Sequence, residues 1–279
     1  MKLSLVVDVV RLEERLLQRE LSTWASVEAL NLRKEPLPYG GLEADAAVIR
    51  PISMYLAAYA AAAYEASGIT AVNSSETIVV AGDKALTYSR LAAAGLPAPT
   101  TLLAATPEAA LGAAEKLGYP VVLKSPVGSW GRLVARAREE EKLQQLARLR
   151  SALPCTPQRT MLVQPLLETN GTDIRCIVVA GELLGCIKRT AARKGEWRSN
   201  VALGASVEPH GPDGELEELM LRAAEAVKGF FVSVDVFETR EGYLVNEVNG
   251  VPEFKGFMKA TGLNPAKALS NALRRTLKK

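Results

Sequence analysis

Short apolar runs and amphipathic segments alternate along the first third of the chain, which predicts strands and helices that follow each other. The runs with the length of buried strands are Leu3–Val9, Val27–Leu32, Ala46–Ile49 and Ile69–Val72. Leu12–Leu21 has leucines at helical spacing, and Pro51 and Gly68 stand where a second helix would begin and end. Cap residues at 73–75 indicate a third helix, and the β-α-β-β-α-β order predicts a parallel sheet covered by helices.

The middle of the chain repeats this alternation with more loops. Thr106 and Pro107 have the cap and first-turn chemistry of a helix that ends at Gly118. The other predicted elements are strands at Thr100–Leu103, Val121–Lys124, Leu133–Arg138 and Met161–Leu166, and a charged helix at Glu139–Arg150. Residues 151–158, SALPCTPQ, are typical of a linker.

The last third favours antiparallel sheet. Residues 173–190, DIRCIVVAGELLGCIKRT, indicate a hairpin that turns at Ala180-Gly181. Trp197–Val207 is expected to be extended, and Glu215–Val227 to be helical. A second hairpin turns at residues 239–242, and a C-terminal helix starts at about Pro265.

This second hairpin brings oxygen-bearing side chains to one face. The turn at 239–242 is expected to place Asp235 roughly across from Glu247, and alternation puts Glu247 and Asn249 on one face. The apolar residues expected on the core side are Val232, Val234, Val236, Leu244 and Val248. Two carboxylates and an amide are ligands that Mg²⁺ takes. A hairpin with a solvated outer face is the simpler alternative, but the irregular segment GVPEFKGF that follows favours a site.

Two lysines are candidates for binding an anion. Lys124 ends a buried strand, where it is costly without a counter-charge, and Gly128 and Gly131 allow backbone N–H groups to approach an anion. An exposed lysine in a turn explains this pattern equally well, and Lys84 fits an exposed first-turn lysine. Neither GxxxxGK[ST] nor a GxGxxG after a strand occurs, so a Walker A loop and a dinucleotide site have little support.

The region after residue 170 is basic, with Arg175, Lys188, Arg189, Arg193 and Arg198. Fixed cations beside a carboxylate metal cluster are what phosphoryl transfer from ATP requires. The single histidine, His210, lies in a turn-rich segment, and there is no GxSxG motif, which argues against a serine or cysteine hydrolase.

Composition limits the partners and the compartment. The 279 residues are 48% hydrophobic and 23% charged, as in an ordinary globular protein, and Leu56–Ala63 is too short to span a bilayer. The N-terminal residues lack a signal peptide's apolar core, so we expect a cytoplasmic chain without membrane contact. A net charge of +3 without an aromatic-interleaved basic run argues against nucleic-acid binding but suits acidic or phosphate-bearing partners. Cys155, Cys176 and Cys186 are expected to be reduced, the last two as small buried hydrophobes rather than a bridge.

A set of motifs resembles, in order, those of the ATP-grasp superfamily and its RimK/LysX-type carboxylate–amine ligases. They are GDK at 82–84, YPVVLK at 119–124, GSWGR at 128–132, VQPLLE at 163–168, GTDIR at 171–175, WRSN at 197–200 and VDVFE…LVNEVNGVPEFK at 234–255. The resemblance covers nearly the whole chain. It implies an α/β (α+β) ATP-grasp fold, with a doubly wound pre-ATP-grasp subdomain at 1–83, a central α/β lid at 84–158 and a mostly antiparallel C-terminal subdomain at 159–279.

The resemblance also implies ATP and two Mg²⁺ ions as cofactors and assigns residues to them. Contacts to ATP are implied for Lys84, Lys124, Gly128, Ser129, Trp130, Gly131, Arg132, Gln164, Pro165, Leu166, Leu167, Glu168 and Arg189. The implied metal ligands are Asp235, Glu247 and Asn249. Catalytic roles are implied for Arg175, Arg189 and Asn200, and substrate contacts for Arg175, Arg198, Asn200, Asn249, Gly250 and Phe257.

The most similar group, the LysX/ArgX ligases, joins an amino acid to the C-terminal glutamate of the small acidic carrier protein LysW. The implied reaction phosphorylates the γ-carboxyl of that glutamate, and the α-amine of the incoming amino acid attacks the acyl phosphate. The segment NEVNGVPEFKGF resembles the glutamate-using form more than the aminoadipate-using one. One methylene separates these substrates and offers only about 1–3 kcal/mol of discrimination, so dual specificity stays open. Relatives are often dimers or tetramers, which implies a homo-oligomer.

One departure from the family pattern affects the site. Many relatives have Arg-Gly-Gly where this chain has Leu203-Gly204-Ala205, so a phosphate-facing cation is replaced and its role would pass to Arg189 or Arg198. Two alternatives to the carrier ligase remain. One is a RimK-like enzyme that adds glutamate to another protein or small molecule, and the other is a nucleotide-binding module without catalysis.

Overall fold

The structure is a computed structural model that describes residues 1–128, 131–192 and 204–278. The strands are β1 (Lys2–Val7), β2 (Ser26–Asn31), β3 (Ala46–Ile49), β4 (Thr70–Val72), β5 (Leu102–Ala104), β6 (Val121–Lys124), β7 (Ala135–Ala137), β8 (Met161–Pro165), β9 (Thr172–Val179), β10 (Glu182–Thr190), β11 (Ser206–His210), β12 (Phe231–Thr239) and β13 (Gly242–Asn249). The helices are α1 (Leu12–Leu21), α2 (Met54–Glu65), α3 (Ser75–Gly82), α4 (Lys84–Ala93), α5 (Pro107–Leu117), α6 (Glu140–Ser151), α7 (Thr156–Arg159), α8 (Gly214–Ala226), α9 (Lys255–Thr261) and α10 (Pro265–Thr276).

The first sheet is parallel, in the order β2-β1-β3-β4, as the alternation of elements predicts. The central strands β1 and β3 bury apolar side chains on both faces because helices cover them, whereas the edge strand β2 is partly exposed. Helix α2 is shorter than the segment between Pro51 and Gly68. It begins after Ser53, whose side chain accepts a 3.5 Å hydrogen bond from the Leu56 N–H and so caps the helix.

The middle sheet has the order β5-β8-β6-β7 with antiparallel pairing, and α5 and α6 pack against it. Lys124 ends β6 as predicted, and Gly118 ends α5 with a φ of 77°. The expected linker at 151–158 differs from the structure, because α6 runs to Ser151 and the single turn α7 begins at Thr156.

The third sheet has the order β11-β10-β9-β12-β13 and is antiparallel. The turn between β9 and β10 lies at Ala180-Gly181 as predicted, and both residues have positive φ (50° and 77°), which a two-residue hairpin loop of this type requires. Part of the segment predicted to be extended, 197–203, lies outside the described residues, and β11 follows it.

The β12–β13 hairpin contains a bulge that alternation alone does not predict. Asp235 is opposite Glu247 as expected, but Val236 is opposite Val245, so Asn246 is the extra residue. The predicted core position Leu244 is therefore wrong: Val245 and Val248 are buried, and Leu244 is only half-buried. The bulge turns the Asn246 side chain away from the core.

The expectation of two reduced thiols in β9 and β10 is also wrong. Cys176 and Cys186 are joined by a disulfide. They are cross-strand partners, because the register shifts by one residue between Leu183 and Gly185, and facing side chains on one face of a sheet lie within contact distance. Cys155 is free and exposed.

Asn73 connects the first sheet to the third. Its side chain donates to the carbonyls of Phe231 (2.6 Å) and Gly250 (2.7 Å) and accepts from the N–H groups of Phe230 and Phe231 (both 2.9 Å). These bonds fix the end of the β12–β13 hairpin against the first sheet, which positions the site described next. No helix within the described ranges is long and apolar enough to cross a membrane.

Candidate active site

A cleft between the middle and third sheets, which we name the inner cleft, collects most of the residues that the motifs imply for nucleotide contact. Those that line it are Lys84, Lys124, Gly128, Gly131, Arg132, Gln164, Pro165, Leu166, Leu167 and Arg189. They come from α4, β6 and its loop, β8 and its continuation, and β10. Residues about 100 positions apart in sequence therefore share one cavity, which also contains Asp235 and Glu247.

Lys124 is the buried cation of the inner cleft. It is 7% exposed, its Nζ donates to Asn246 Oδ1 at 2.7 Å, and it lies 5.5 Å from the centre of the Phe237 ring. Burial, together with the nearby Lys84, lowers the pKa of Lys124 to about 8. A buried ammonium group with one neutral partner retains donors for an anion that enters the cleft.

Lys84 joins the loop after β6 to the hairpin. Its Nζ donates to the Gly128 carbonyl at 3.0 Å and lies 3.2 Å from Glu247 Oε2. The Lys84 N–H also donates to the Pro126 carbonyl at 2.8 Å. The side chain is thus mostly buried at the point where β6, α4 and β13 meet, rather than being an exposed first-turn lysine.

Asp235 is held between two arginines. Arg175 makes a bidentate contact with it at 2.7 Å for both bonds, and Arg189 donates to its Oδ2 at 2.7 Å. Asp235 is 1% exposed; burial alone would raise the pKa of its carboxyl, but attraction to Arg175 and Arg189 outweighs burial and lowers it. Asp235 is therefore a carboxylate at every physiological pH.

Asp173 is the main partner of Arg189. The Arg189 Nε donates to Asp173 Oδ1 at 2.6 Å, and a second, shorter bond joins the same two groups. Burial would lower the pKa of Arg189, but Asp235 and Asp173 outweigh it and raise the pKa. Asp173 therefore fixes the guanidinium with two bonds and leaves it one contact to Asp235.

Asp173→Asn is expected to destabilise the protein by about 3–5 kcal/mol, because it leaves Arg189 buried with an incomplete partner. Urea denaturation measures the loss. Glu76→Gln is the matched control: Glu76 also bonds two cations, Arg90 and Lys228, but at the exposed surface, where such pairs contribute little. Equal midpoints for the two variants would contradict the role given to Asp173.

The segment after β8 forms one wall of the inner cleft. The buried Gln164 side chain donates to Thr101 Oγ1 at 2.7 Å, and the Leu166 N–H donates to the Pro120 carbonyl at 2.9 Å. The wall itself is Pro165, Leu166 and Leu167. Fixed backbone with apolar side chains suits a flat aromatic base that is read by main-chain groups.

A second, wider cavity, the outer cleft, opens between the first sheet and the β12–β13 hairpin. It contains the predicted substrate residues Arg175, Asn249 and Gly250, together with Arg189 and Glu247. The loops that follow β1 and β2 contribute Asp8 and Arg33, and the start of α2 with the two residues before it contributes Ile52, Ser53, Met54 and Tyr55. Lys84, Gly128, Arg189 and Glu247 line both cavities, so the two clefts meet at the hairpin.

Some predicted site residues are not in these cavities. Phe257 is 1% exposed and packs in a core cluster, so the structure does not support the substrate contact predicted for it. Glu168 is exposed and does not line the inner cleft, although its neighbours Leu167 and Thr169 do. Ser129, Trp130, Arg198 and Asn200 lie outside the described residues, as does Leu203.

Two functional side chains were missed in the sequence. Asn246 was missed because alternation assigns it to the core side of β13, and only the bulge turns it to Lys124. Asp173 stands in the motif GTDIR, and its partner Arg189 lies on the next strand. The hairpin predicted over 173–190 places Asp173 and Arg189 on adjacent strands, but a regular hairpin would pair Asp173 with Lys188.

The donor set of the hairpin fits a hard divalent cation. Asn249 Nδ2 lies 3.4 Å from Glu247 Oε1, and Asp235 is the cross-strand partner of Glu247. In the described part of the chain no three His, Cys, Asp or Glu side chains form a metal cluster, and this set is instead two carboxylates and an amide. Oxygen donors of this kind suit Mg²⁺ when substrate phosphates complete its shell. A metal there would share Asp235 with Arg175 and Arg189.

The fold and the clefts define an ATP-grasp ligase. The RimK-like ATP-grasp domain model matches residues 81–273, and the chain belongs to this family. The crystal structure of a RimK domain ATP-grasp protein from Sphaerobacter thermophilus has a TM-score of 0.76 with 24% identity, and covers 98% of this chain and 100% of that one.

Two relatives of this chain are named as ligases that act on LysW. The glutamate–LysW ligase ArgX of Sulfurisphaera tokodaii is 43% identical over 96% of both chains. The alpha-aminoadipate–LysW ligase LysX of the same organism is 35% identical over 84% of this chain and 82% of its own length. The chain is therefore a ligase of the C–N bond-forming kind, and the family prediction from the motifs is confirmed.

Proposed function

We propose that the protein is an ATP-dependent ligase that joins the α-amine of glutamate to the C-terminal glutamate of a LysW-like carrier protein. The observation that carries this proposal is the 43% identity with a glutamate–LysW ligase over 96% of both chains. The lower identity with an aminoadipate–LysW ligase, 35%, favours glutamate without excluding aminoadipate as a second substrate.

ATP would bind in the inner cleft. Lys84 and Lys124 would contact its phosphates, with Gly128, Ser129, Trp130, Gly131 and Arg132 as the loop that covers them. Adenine would lie against residues 164–167, with Glu168 near the ribose. Asp235, Glu247 and Asn249 would hold two Mg²⁺ ions, which would neutralise phosphate oxygens as charge moves.

The chain's own residues would then orient the two substrates where the clefts meet. The γ-carboxylate of the carrier's last residue attacks the terminal phosphate of ATP, ADP leaves, and the α-amine of glutamate displaces phosphate from the acyl phosphate. Arg175 and Arg189, with Asn200, would stabilise the negative charge on the transferred group. Arg198, Asn249 and Gly250 would contact the incoming amino acid.

In this proposal the chain has three subdomains. Residues 1–83 form one side of the outer cleft, residues 84–158 form the lid, and residues 159–279 contain the metal-binding hairpin. A cytoplasmic location and a homo-oligomeric state accompany it, as does the absence of nucleic-acid and membrane partners. The mild excess of positive charge, +3, suits a carrier that ends in two carboxylates.

Incubation with ATP, Mg²⁺, glutamate and a LysW protein tests the proposal. We expect ADP release and a carrier mass increased by one glutamate residue, with aminoadipate used less well. ADP release with another acceptor only would indicate the RimK-like alternative, and nucleotide binding without turnover would indicate a non-catalytic module. Turnover with aminoadipate and none with glutamate would contradict the choice of amino acid.

A further inference from the structure

Helix α2 and the turn before it have almost no charge. Residues 51–64 contain no Asp, Glu, Lys or Arg, and the last residue of α2, Glu65, accepts hydrogen bonds from Ser75. A helix that is apolar on every side is normally buried. Yet Ile52, Tyr55 and Tyr59 are 40%, 43% and 58% exposed. We name these three residues the α2 stripe. It is an apolar surface that the described parts of the fold leave open.

The α2 stripe is continuous rather than scattered. The rings of Tyr55 and Tyr59 lie 6.4 Å apart, one helical turn from each other, while the alanines on the inner face pack against the first sheet. Other exposed apolar side chains, such as Leu149 in the charged helix α6, stand among polar neighbours. A group of exposed aromatic side chains is typical of a protein-binding surface, whereas a single exposed leucine is not.

The stripe begins at the mouth of the outer cleft. Ile52 and Tyr55 line this cleft together with Asn249 and Gly250, and Tyr59 extends the same surface outward by one turn. A protein that delivers its terminal residue into the outer cleft must rest its body on the surface around the mouth. The α2 stripe is such a surface.

The charges around the mouth decide which partner fits. The outer cleft is lined by five cations (Arg11, Arg33, Lys84, Arg175 and Arg189) and three carboxylates (Asp8, Glu247 and Glu253). Arg33 is two-thirds exposed and lies 3.9 Å from Asp8, a loose contact that leaves it able to meet another anion. The other four cations have close carboxylate partners: Glu14 and Glu253 for Arg11, Glu247 for Lys84, and Asp235 for both Arg175 and Arg189. Arg33 is therefore the cation at the mouth that suits a carboxylate-bearing tail, whereas a second copy docked about this mouth would place one Arg33 near another.

We propose that the α2 stripe, with Arg33 at its edge, is the docking surface for the carrier protein whose terminal glutamate enters the outer cleft. This rests on the proposed ligase function. The aromatic side chains bind the carrier's apolar surface, and Arg33 binds a carboxylate of its terminal segment. The stripe contributes to the affinity for the carrier and contributes nothing to the binding of ATP or glutamate.

Tyr59→Glu tests the surface, because Tyr59 belongs to the stripe but lines neither cleft. A buried charge in place of an aromatic anchor is expected to raise the KM for LysW about tenfold or more, with the KM values for ATP and glutamate unchanged. Leu149→Glu is the control, since Leu149 is 70% exposed and lies on α6, which lines neither cleft, and all its KM values should stay as in the wild type. Light scattering of each variant reports its oligomeric state.

Each outcome decides between the alternatives. Absence of LysW ligation by the wild type overturns the proposed function and this inference together. Wild-type ligation with an unchanged LysW KM in Tyr59→Glu overturns the docking surface alone. A Tyr59→Glu variant that loses subunits while its LysW KM is unchanged assigns the stripe to a second copy of the chain and also overturns the inference.

Discussion

Glu247→Gln is expected to reduce ATP-dependent ligation at least about 100-fold while the protein stays folded. Glu247 lies where the inner and outer clefts meet, across the hairpin from Asp235. Of the two carboxylates among the implied metal ligands, Glu247 has the weaker contacts to protein cations: Lys84 lies at 3.2 Å and Arg175 at 3.8 Å, whereas Asp235 has three bonds to two arginines. Without the charge of Glu247, the only carboxylate left among the implied metal ligands is Asp235, which is already bonded to Arg175 and Arg189.

The amide of the variant retains the shape of the side chain, so packing around β13 should not change. Glu238→Gln is the matched control, because Glu238 lies on the same hairpin and pairs with Lys188 at the surface. ADP release and carrier mass, measured over a Mg²⁺ titration, separate loss of metal affinity from loss of turnover. Wild-type rates for Glu247→Gln at low Mg²⁺ would contradict the assignment of the hairpin as the metal site.

Local patterns predicted most of the fold, and one-residue irregularities account for much of what they missed. Turn chemistry at Ala180-Gly181 was sufficient to predict the β9–β10 hairpin. A regular hairpin with that turn would place Cys176 opposite Gly185 and Asp173 opposite Lys188. The register shift between Leu183 and Gly185 instead pairs the two cysteines, and Asp173 with Arg189. The alternation of apolar and polar residues along the two strands does not indicate a register shift of this kind.

The bulge in the β12–β13 hairpin also shifts which residues face each other by one position. Asp235 is opposite Glu247 as expected, but this pairing depends on the bulge, because a regular hairpin with the turn at 239–242 would place Asp235 opposite Asn246. Alternation also failed at Asn246, whose side chain reaches Lys124 on a different sheet. The motifs named the candidate metal ligands and the cations near them, but the bonds among these residues depend on strand order across the whole chain, which sequence spacing does not contain.

Lys124→Met is expected to weaken ATP binding about 10-fold to 100-fold and at the same time to stabilise the protein near neutral pH. The loss of affinity follows because a charged donor in a buried cleft contributes about 1.5–3 kcal/mol to a bond with phosphate. The gain in stability follows because burial holds the pKa of Lys124 at about 8, against an ordinary value of 10.5. That difference corresponds to roughly 3 kcal/mol of unfavourable burial at pH 7.

The stability gained in Lys124→Met is expected to depend on pH. Below pH 8 Lys124 is charged in both the folded and the unfolded chain, and the full cost of burial is present. Between about 8 and 10.5 the unfolded chain binds more protons, so wild-type stability rises with pH and the advantage of methionine shrinks. Loss of the bond to Asn246 offsets roughly 1 kcal/mol of the gain at every pH.

Urea denaturation of the wild type and Lys124→Met at pH 7 and pH 9.5 measures the stability difference, and calorimetric titration with ATP measures the affinity. Lys116→Met is the control, because Lys116 is exposed at the end of α5 and should change neither quantity appreciably. The wild type alone should also bind ATP less tightly as the pH rises through 8, because the neutral amine attracts phosphate weakly. A Lys124→Met variant that is less stable than the wild type at pH 7, or that binds ATP equally well, would mean that Lys124 is a structural side chain and that the phosphates lie elsewhere.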